Sequence, residues 1–470
     1  MQRNVILAVL LALAIVAVVL AGNTGTDPRL KAAFRKPEQN GWIQVHLEGS
    51  PSAMGYQHGC LLAAEIDEAK KVIELELTHD TQKPWSFFRD AARSALWPKI
   101  ESEYRQELEG IVAGLREKQV SMDLWDVVAL NAWLEFNPYY VQWHDRHHPQ
   151  QTPSPLSSPA ERCSAFVATG TYTRDGRIVI GHNAWTNYLD GQRWRIVFDI
   201  APVKGHRILM DGFPGLIHSA DDFGVNSAGI LITETTISQF FGWNPQGIPE
   251  FVRARKAMQY ASSIDDFARL MKEGNNGGYA NNWLVADVKT NEIASLELGL
   301  KNVNLRRTRD GYFAGSNFPV NEKLVREETR FSTEDLSVSA NARRLRWDQL
   351  MAENRGRIDI AAAQRFLSDH YDTFTKSTDP SERTLCGHID LSPRGAKDWQ
   401  PPFGPAGAAQ NKVSDATMAE RLSFAAAVGH ACGLAFKADE HLRRHPEFSW
   451  QKPFLNELTP HPWTDFSASD

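Results

Sequence analysis

Between His144 and Ala160 the chain reads His-Asp-Arg-His-His-Pro-Gln-Gln-Thr-Pro-Ser-Pro-Leu-Ser-Ser-Pro-Ala. A stretch this polar and this rich in proline cannot pack or hold regular structure, so it divides the fold in two. Before it, helical spacing dominates. Leu61, Leu62, Ile66, Val72, Ile73 and Leu75 recur on one face, and Leu108, Ile111, Val112 and Leu115 on another. A strand is expected at residues 42–47, which alternate apolar and polar, and a turn-rich link from Gly49 to Gly59. After the divide come strands. Ala165–Tyr172 and Arg177–Ile180 flank an Arg-Asp-Gly turn, Arg195–Ile200 and Arg207–Met210 make another pair, and Gly229–Thr236 is β-branched. Trp283–Val288 and Ile293–Leu298 form a further hairpin, and Asn302–Arg306 and Tyr312–Ala314 flank a second Arg-Asp-Gly turn. Helices are expected at about 250–272, 341–353, 360–369 and 415–428. Hairpins interleaved with helices predict an α+β fold of antiparallel sheets covered by helices.

The N-terminus sets the compartment. Arg3 precedes an apolar run from Val5 to Ala21, and the small residues Ala21 and Gly22 close it. Residues 1–22 therefore read as a signal peptide or as an uncleaved membrane anchor. Either one predicts an exported protein: periplasmic, secreted, or anchored outside the cytosol. The net charge of -6 and the absence of a long basic run exclude nucleic acid as a partner class. His144, His147 and His148 lack a Cys or carboxylate at a ligand-like offset, so no metal site is predicted there. Of the four cysteines, Cys60, Cys163, Cys386 and Cys432, the pair expected to bridge is Cys386 with Cys432.

Cys163 stands at the start of a strand, directly after the linker. That is where a self-cleaving nucleophile belongs. Its thiol would attack the Arg162 carbonyl, the acyl group would move from nitrogen to sulfur, and water would release a chain beginning at Cys163. The freed α-amine, with an ordinary pKa of about 7.7–8.0, would then act as base to its own thiol, with an ordinary pKa of about 8.5. A bare cysteine at a strand start is otherwise a small buried hydrophobe.

The residues around it carry a resemblance. Cys163-Ser164-Ala165, followed by Gly181-His182-Asn183-Ala184-Trp185-Thr186-Asn187-Tyr188, resembles the nucleophile strand and hairpin of the phospholipase B-like family. Further blocks follow in the same order: Phe213-Pro214-Gly215, Ser219-Ala220-Asp221-Asp222-Phe223, Glu234-Thr235-Thr236-Ile237, Tyr279-Ala280-Asn281-Asn282-Trp283, and Ala342-Arg343 through Asp348-Gln349. Met54-Gly55-Tyr56-Gln57-His58-Gly59, His370 and Cys386-Gly387-His388 are similar to the acyl-CoA:6-aminopenicillanate acyltransferase-like group. Both groups are N-terminal-nucleophile (Ntn) hydrolases. The resemblance implies an αββα sandwich with a helical N-terminal pro-segment. It departs from the bile-salt hydrolases, which have Arg and Asp where His182 and Trp185 stand.

The resemblance implies that Cys163 is the nucleophile, His182 lines the pocket, and Trp185 shapes an apolar acyl site. Asn281 or Asn282 is the candidate oxyanion donor, because a side-chain amide donates without titrating. Thr235 and Arg343 are candidates for substrate contact, and Asp221 and Asp222 for ordering the pocket loop. Each has a plainer reading: strand-end packing, core, turn, or the solvated face of a helix. His58 reads as packing at a helix start. The expected layout is a signal or anchor at 1–22, a helical segment at 23–143, a linker at 144–162 ending at the processing site Arg162–Cys163, and the nucleophile-bearing chain at 163–470. The two self-cleaved chains of one precursor would stay together. They would hydrolyse an ester or amide of an apolar acyl group on a small-molecule or lipid substrate, and the mechanism calls for no cofactor or metal. The alternatives are an N-acyl amidase or acyltransferase, and a non-catalytic exported lipid-binding protein. The N-terminal segment would supply any membrane association.

Overall fold

The computed structural model describes residues 27–149, 162–220, 223–396 and 399–469. The expectations for residues 1–22, for most of the Pro-rich linker and for Asp221 and Asp222 lie outside the described residues. Among those described, nine strands form one sheet in the order Phe34–Arg35, Ile43–Gly49, Ile196–Pro202, Ile208–Gly212, Gly224–Asn226, Ile230–Thr236, Asn281–Asp287, Glu292–Leu298 and Val303–Thr308. Six form a second: Gly311–Gly315, Ser164–Thr169, Val179–Asn187, Ala406–Asp415, Ser423–Val428 and Thr464–Ser467. Pairing in both is antiparallel except where Ile43–Gly49 runs parallel to Ile196–Pro202.

The layering follows from side chains alternating across each strand. Val197, Leu209, Leu231 and Leu284 of the large sheet share one apolar cluster with Ala165, Val167, Ile180 and Ala426 of the smaller sheet. Their neighbours in sequence face away. Phe198, Met210, Ile232 and Trp283 join the apolar cluster built by the N-terminal helices and by the helices Glu250–Tyr260 and Ile264–Lys272. Phe166, Ala168, Val179 and Ala425 pack on Trp347, Leu350, Phe366 and Leu367 of the helices Ser339–Glu353 and Ile360–Leu367. Each large apolar side chain buried this way contributes about 1.5–3 kcal/mol, so the double sheet is a stiff platform. No helix among the described residues is long and apolar enough to cross a membrane.

Several expectations are corrected. Residues 49–59 are not a link, because Pro51–Leu61 is a helix capped by Ser50. Gly55 and Gly59 lie against Gly110 and Gly114 of the helix Ser102–Glu117, where an added Cβ would overlap the facing backbone. The glycines serve a close helix crossing rather than a turn. His58 lies inside this helix, buried, rather than at its start. The strand Ile43–Gly49 is buried on both faces through Leu47 instead of half-buried, because it sits inside the sheet. The linker does not begin at His144. Val141–His147 is helical, held by Lys83 to Asp145 at 3.0 Å and by the Phe87 ring 4.9 Å from that of His144. Residues 302–314 are not a hairpin: Val303–Thr308 pairs in the large sheet and Gly311–Gly315 in the small one, so the turn carries the chain between layers. Only Ala416–Glu420 is helical in the expected helix 415–428, and Ser423–Val428 is a strand.

Candidate active site

Cys163 immediately precedes the strand Ser164–Thr169 of the smaller sheet. This residue is 2% exposed, and its φ of +75° is in the left-handed region. That conformation costs an L-residue about 1–2 kcal/mol, so its surroundings must hold it there. Arg343, fully buried on the helix Ser339–Glu353, does much of this. Its Nη1 donates to the Cys163 carbonyl at 2.6 Å and to Ser164 Oγ at 3.0 Å. Its Nε donates to Ser339 Oγ at 2.9 Å and its Nη2 to Asn317 Oδ1 at 2.9 Å. The guanidinium lies 4.2 Å from the centre of the Trp185 ring.

Asn317 completes the arrangement. With Oδ1 engaged by Arg343, its Nδ2 donates to the Thr236 carbonyl at 2.9 Å and to the carbonyl of Arg162. That second acceptor belongs to the peptide bond immediately before Cys163. A fixed amide donor therefore rests on the oxygen that would become an oxyanion if the Cys163 thiol attacked that bond.

Cys163 Sγ, a ring nitrogen of His182 and a carboxylate oxygen of Glu234 lie within 4.8 Å of one another. Glu234 Oε1 accepts from the Tyr279 hydroxyl at 3.1 Å, and Tyr279 accepts from Thr236 Oγ1 at 2.9 Å. His182, fully buried, faces Phe223 and is paired in register with Lys412, whose Nζ is 2.9 Å from Asp211. Burial, and then the Lys412 charge, hold His182 well below the usual imidazole range, against a weaker upward pull from the Glu234 backbone. Both pressures disfavour the charged ring, so His182 meets its neighbours as a neutral imidazole and a weak base.

The remaining singled-out residues take varied places. Asn281, with its amide oriented as its neighbours require, donates to Glu234 Oε2 at 2.8 Å and to the Ala280 carbonyl at 3.0 Å. Asn282 accepts from Ser295 Oγ at 2.8 Å, while its Nδ2 has no hydrogen-bond partner among the described residues. Thr235, paired with Asn282 across the strands, likewise has an unpartnered Oγ1. Trp185 is buried, and its Nε1 donates to the Leu385 carbonyl at 3.3 Å. Arg162 lies between the rings of Trp133 and Trp399, 6.0 and 5.7 Å from their centres. Two site residues escaped the sequence reading as such. Glu234 could have been flagged as the one acidic residue in the buried run Ile230–Thr236; Asn317, a polar residue just past a strand end, gave no signal.

A family model described as phospholipase B matches residues 64–301, just over half of the 470 residues. The chain belongs to the phospholipase B family. The match takes in Cys163, His182, Trp185, Glu234 and Asn281 and stops before Asn317 and Arg343. An uncharacterized protein of Archaeoglobus fulgidus is 27% identical over 62% of this chain and 49% of its own. Human phospholipase B-like 1 is 25% identical over 54% of this chain and 49% of its own. The chain thus spans about half the length of these curated relatives. A solved structure, a mutant conjugated bile acid hydrolase from Clostridium perfringens, aligns over 56% of this chain and 88% of its own at 11% identity, with a TM-score of 0.32.

Proposed function

We propose that this phospholipase B family member is an exported Ntn hydrolase of the αββα type. In this reading it cleaves itself before Cys163 and then hydrolyses esters or amides of an apolar acyl group. The observation that carries the reading is the contact of Asn317 Nδ2 with the Arg162 carbonyl, beside a buried, strained cysteine.

In self-cleavage, Cys163 Sγ forms a bond to the Arg162 carbonyl carbon while its proton passes to the Glu234 carboxylate. The tetrahedral oxygen is held by Asn317. The C–N bond then breaks, the Cys163 nitrogen takes a proton, and a thioester to Arg162 remains. Water adds to that thioester and releases the Arg162 carboxylate and the free thiol. In turnover the α-amine of Cys163 serves as base, and substrate replaces the Arg162 acyl group. Thr235 Oγ1, Asn282 Nδ2 and the two ring nitrogens of His182 are buried polar atoms without a partner among the described residues, and so are available to meet it. Arg343 spends its donors on Cys163, Ser164, Ser339 and Asn317, which supports a positioning role over anion capture.

Two features would keep the cleaved pieces together. The N-terminal piece supplies Ile43–Gly49 as an inner strand of the large sheet. Its Glu76 accepts from Asn187 of the other piece at 2.5 Å. The substrate test compares purified wild type and Cys163→Ala for fatty-acid release from phospholipid vesicles and from N-acyl amides. Release by the wild type alone supports a hydrolase and shows its preference. Equal, background release by both on every substrate contradicts it.

A further inference from the structure

A second cysteine–histidine cluster lies apart from the Cys163 group. His370, Cys386, His388 and Cys432 come from the segment between the helix Ile360–Leu367 and the strand Ala406–Asp415, and from the turn after Ser423–Val428. One ligand atom from each lies within 4.8 Å of all the others. His388 Nε2 is 3.2 Å from His370 Nε2, 3.5 Å from Cys386 Sγ and 3.4 Å from Cys432 Sγ. One imidazole nitrogen holds a single hydrogen or a single lone pair, so it cannot satisfy three such neighbours by hydrogen bonding.

A central cation can. Tetrahedral zinc, with Zn–N of about 2.05 Å and Zn–S of about 2.3 Å, would separate two nitrogens by about 3.3 Å and a nitrogen from a sulfur by about 3.5 Å. The observed spacings of 3.2, 3.5 and 3.4 Å match that figure. The donor set is two sulfurs and two imidazoles, which selects zinc over magnesium or calcium. Outer partners are present too. His388 Nδ1 is 4.0 Å from Asp390 Oδ1, and the His388 ring stacks on His430 with centres 4.1 Å apart. The Tyr188 hydroxyl is 2.8 Å from both Asp390 Oδ1 and His430 Nε2. The stacked His430 ring, itself held by Tyr188, limits the orientation of His388, and Asp390 places a carboxylate near its other nitrogen. Cys386 and His388 are buried, while His370 and Cys432 are partly exposed, which leaves a way in.

We propose that His370, Cys386, His388 and Cys432 bind one structural zinc ion. Four protein ligands close the coordination shell, so the ion is a clip rather than a site for substrate. On binding, the two thiols lose their protons to solvent and the thiolates bond the metal. The clip pins the loop that bears Leu385, whose carbonyl accepts from Trp185 Nε1 and, at 2.9 Å, from Asn183 Nδ2. Gly387 lies so close to the Trp185 ring that an added Cβ would overlap it. The clip therefore supports the wall behind His182 without touching the nucleophile.

The test is metal analysis of the full chain, purified without chelator after growth with zinc, together with Cys386→Ser/Cys432→Ser and Cys163→Ala. The inference predicts about one zinc per chain in wild type and in Cys163→Ala, and at least a tenfold loss in the double variant. Exchange of the wild type into cobalt(II) is the check that needs no variant to fold: it should give tetrahedral d–d bands with sulfur-to-metal charge transfer. Zinc content unchanged in the double variant, a Cys386–Cys432 disulfide in the purified wild type, or a cobalt spectrum without sulfur ligation would each overturn the assignment.

Discussion

The molecule places cysteine beside histidine in two regions, and the neighbours of each pair decide its chemistry. At Cys163 there is one thiol, one buried neutral imidazole, a carboxylate, a left-handed backbone and an amide resting on the adjacent carbonyl. At Cys432 there are two thiols and two imidazoles, with His388 Nε2 3.2–3.5 Å from the other three. The first group is arranged around a peptide bond, the second around a point in space. Cysteine next to histidine is therefore no signature in itself; the third and fourth partners separate a nucleophile from a metal ligand.

The largest expected effect tests that separation directly. Cys163→Ala should abolish self-cleavage and leave the zinc content unchanged, whereas Cys432→Ser should lose zinc and keep cleaving. Intact mass and metal analysis read both; loss of both properties in either variant would merge the two regions into one site. Next is Asn317→Ala, which removes the donor to the Arg162 carbonyl. Loss of one oxyanion donor costs about 10²- to 10³-fold, so precursor processing should slow by that factor, read by the time course on a gel. Unchanged processing would mean that the contact is only structural.

The smallest effect concerns a histidine that belongs to neither group. His58 Nε2 accepts from the Gly215 N–H at 3.0 Å, and burial pushes the ring down to about 3. Its folded pKa is depressed, so the unfolded chain takes up the proton first. The stability it contributes is present above about pH 6.5 and is lost as pH falls toward 3, by about 1.4 kcal/mol per pH unit within that window. Denaturant unfolding of the Cys163→Ala chain against its His58→Gln form should show a slope reduced by about one proton. An unchanged slope would show that His58 does not stay neutral in the fold.

The hairpins were legible because β-branched alternation between turn residues is a local signal, and Ile230–Thr236 and Asn281–Asp287 fall within a few residues of where it placed them. The position of Cys163 just before a strand was legible for the same reason. The inner strand Ala406–Asp415 was not. Its small and polar residues, Gly407, Gln410, Asn411 and Lys412, find partners only in three dimensions: Gln410 and Lys412 both reach Asp211. The glycines of Pro51–Leu61 misled because their reason for being there is the facing helix. The second cluster was illegible as a site because its ligands are scattered over positions 370, 386, 388 and 432, with no compact spacing to read. Its two cysteines, expected as a disulfide, are both free thiols.

The central claim is that Cys163 becomes an N-terminus. N-terminal sequencing and intact mass of the protein purified from its own compartment, beside Cys163→Ala, test it most directly. The account predicts a large fragment beginning at Cys163 in the wild type and a chain uncut at that bond in the variant. An uncut Arg162–Cys163 bond in both, or the same cut in both, would contradict it.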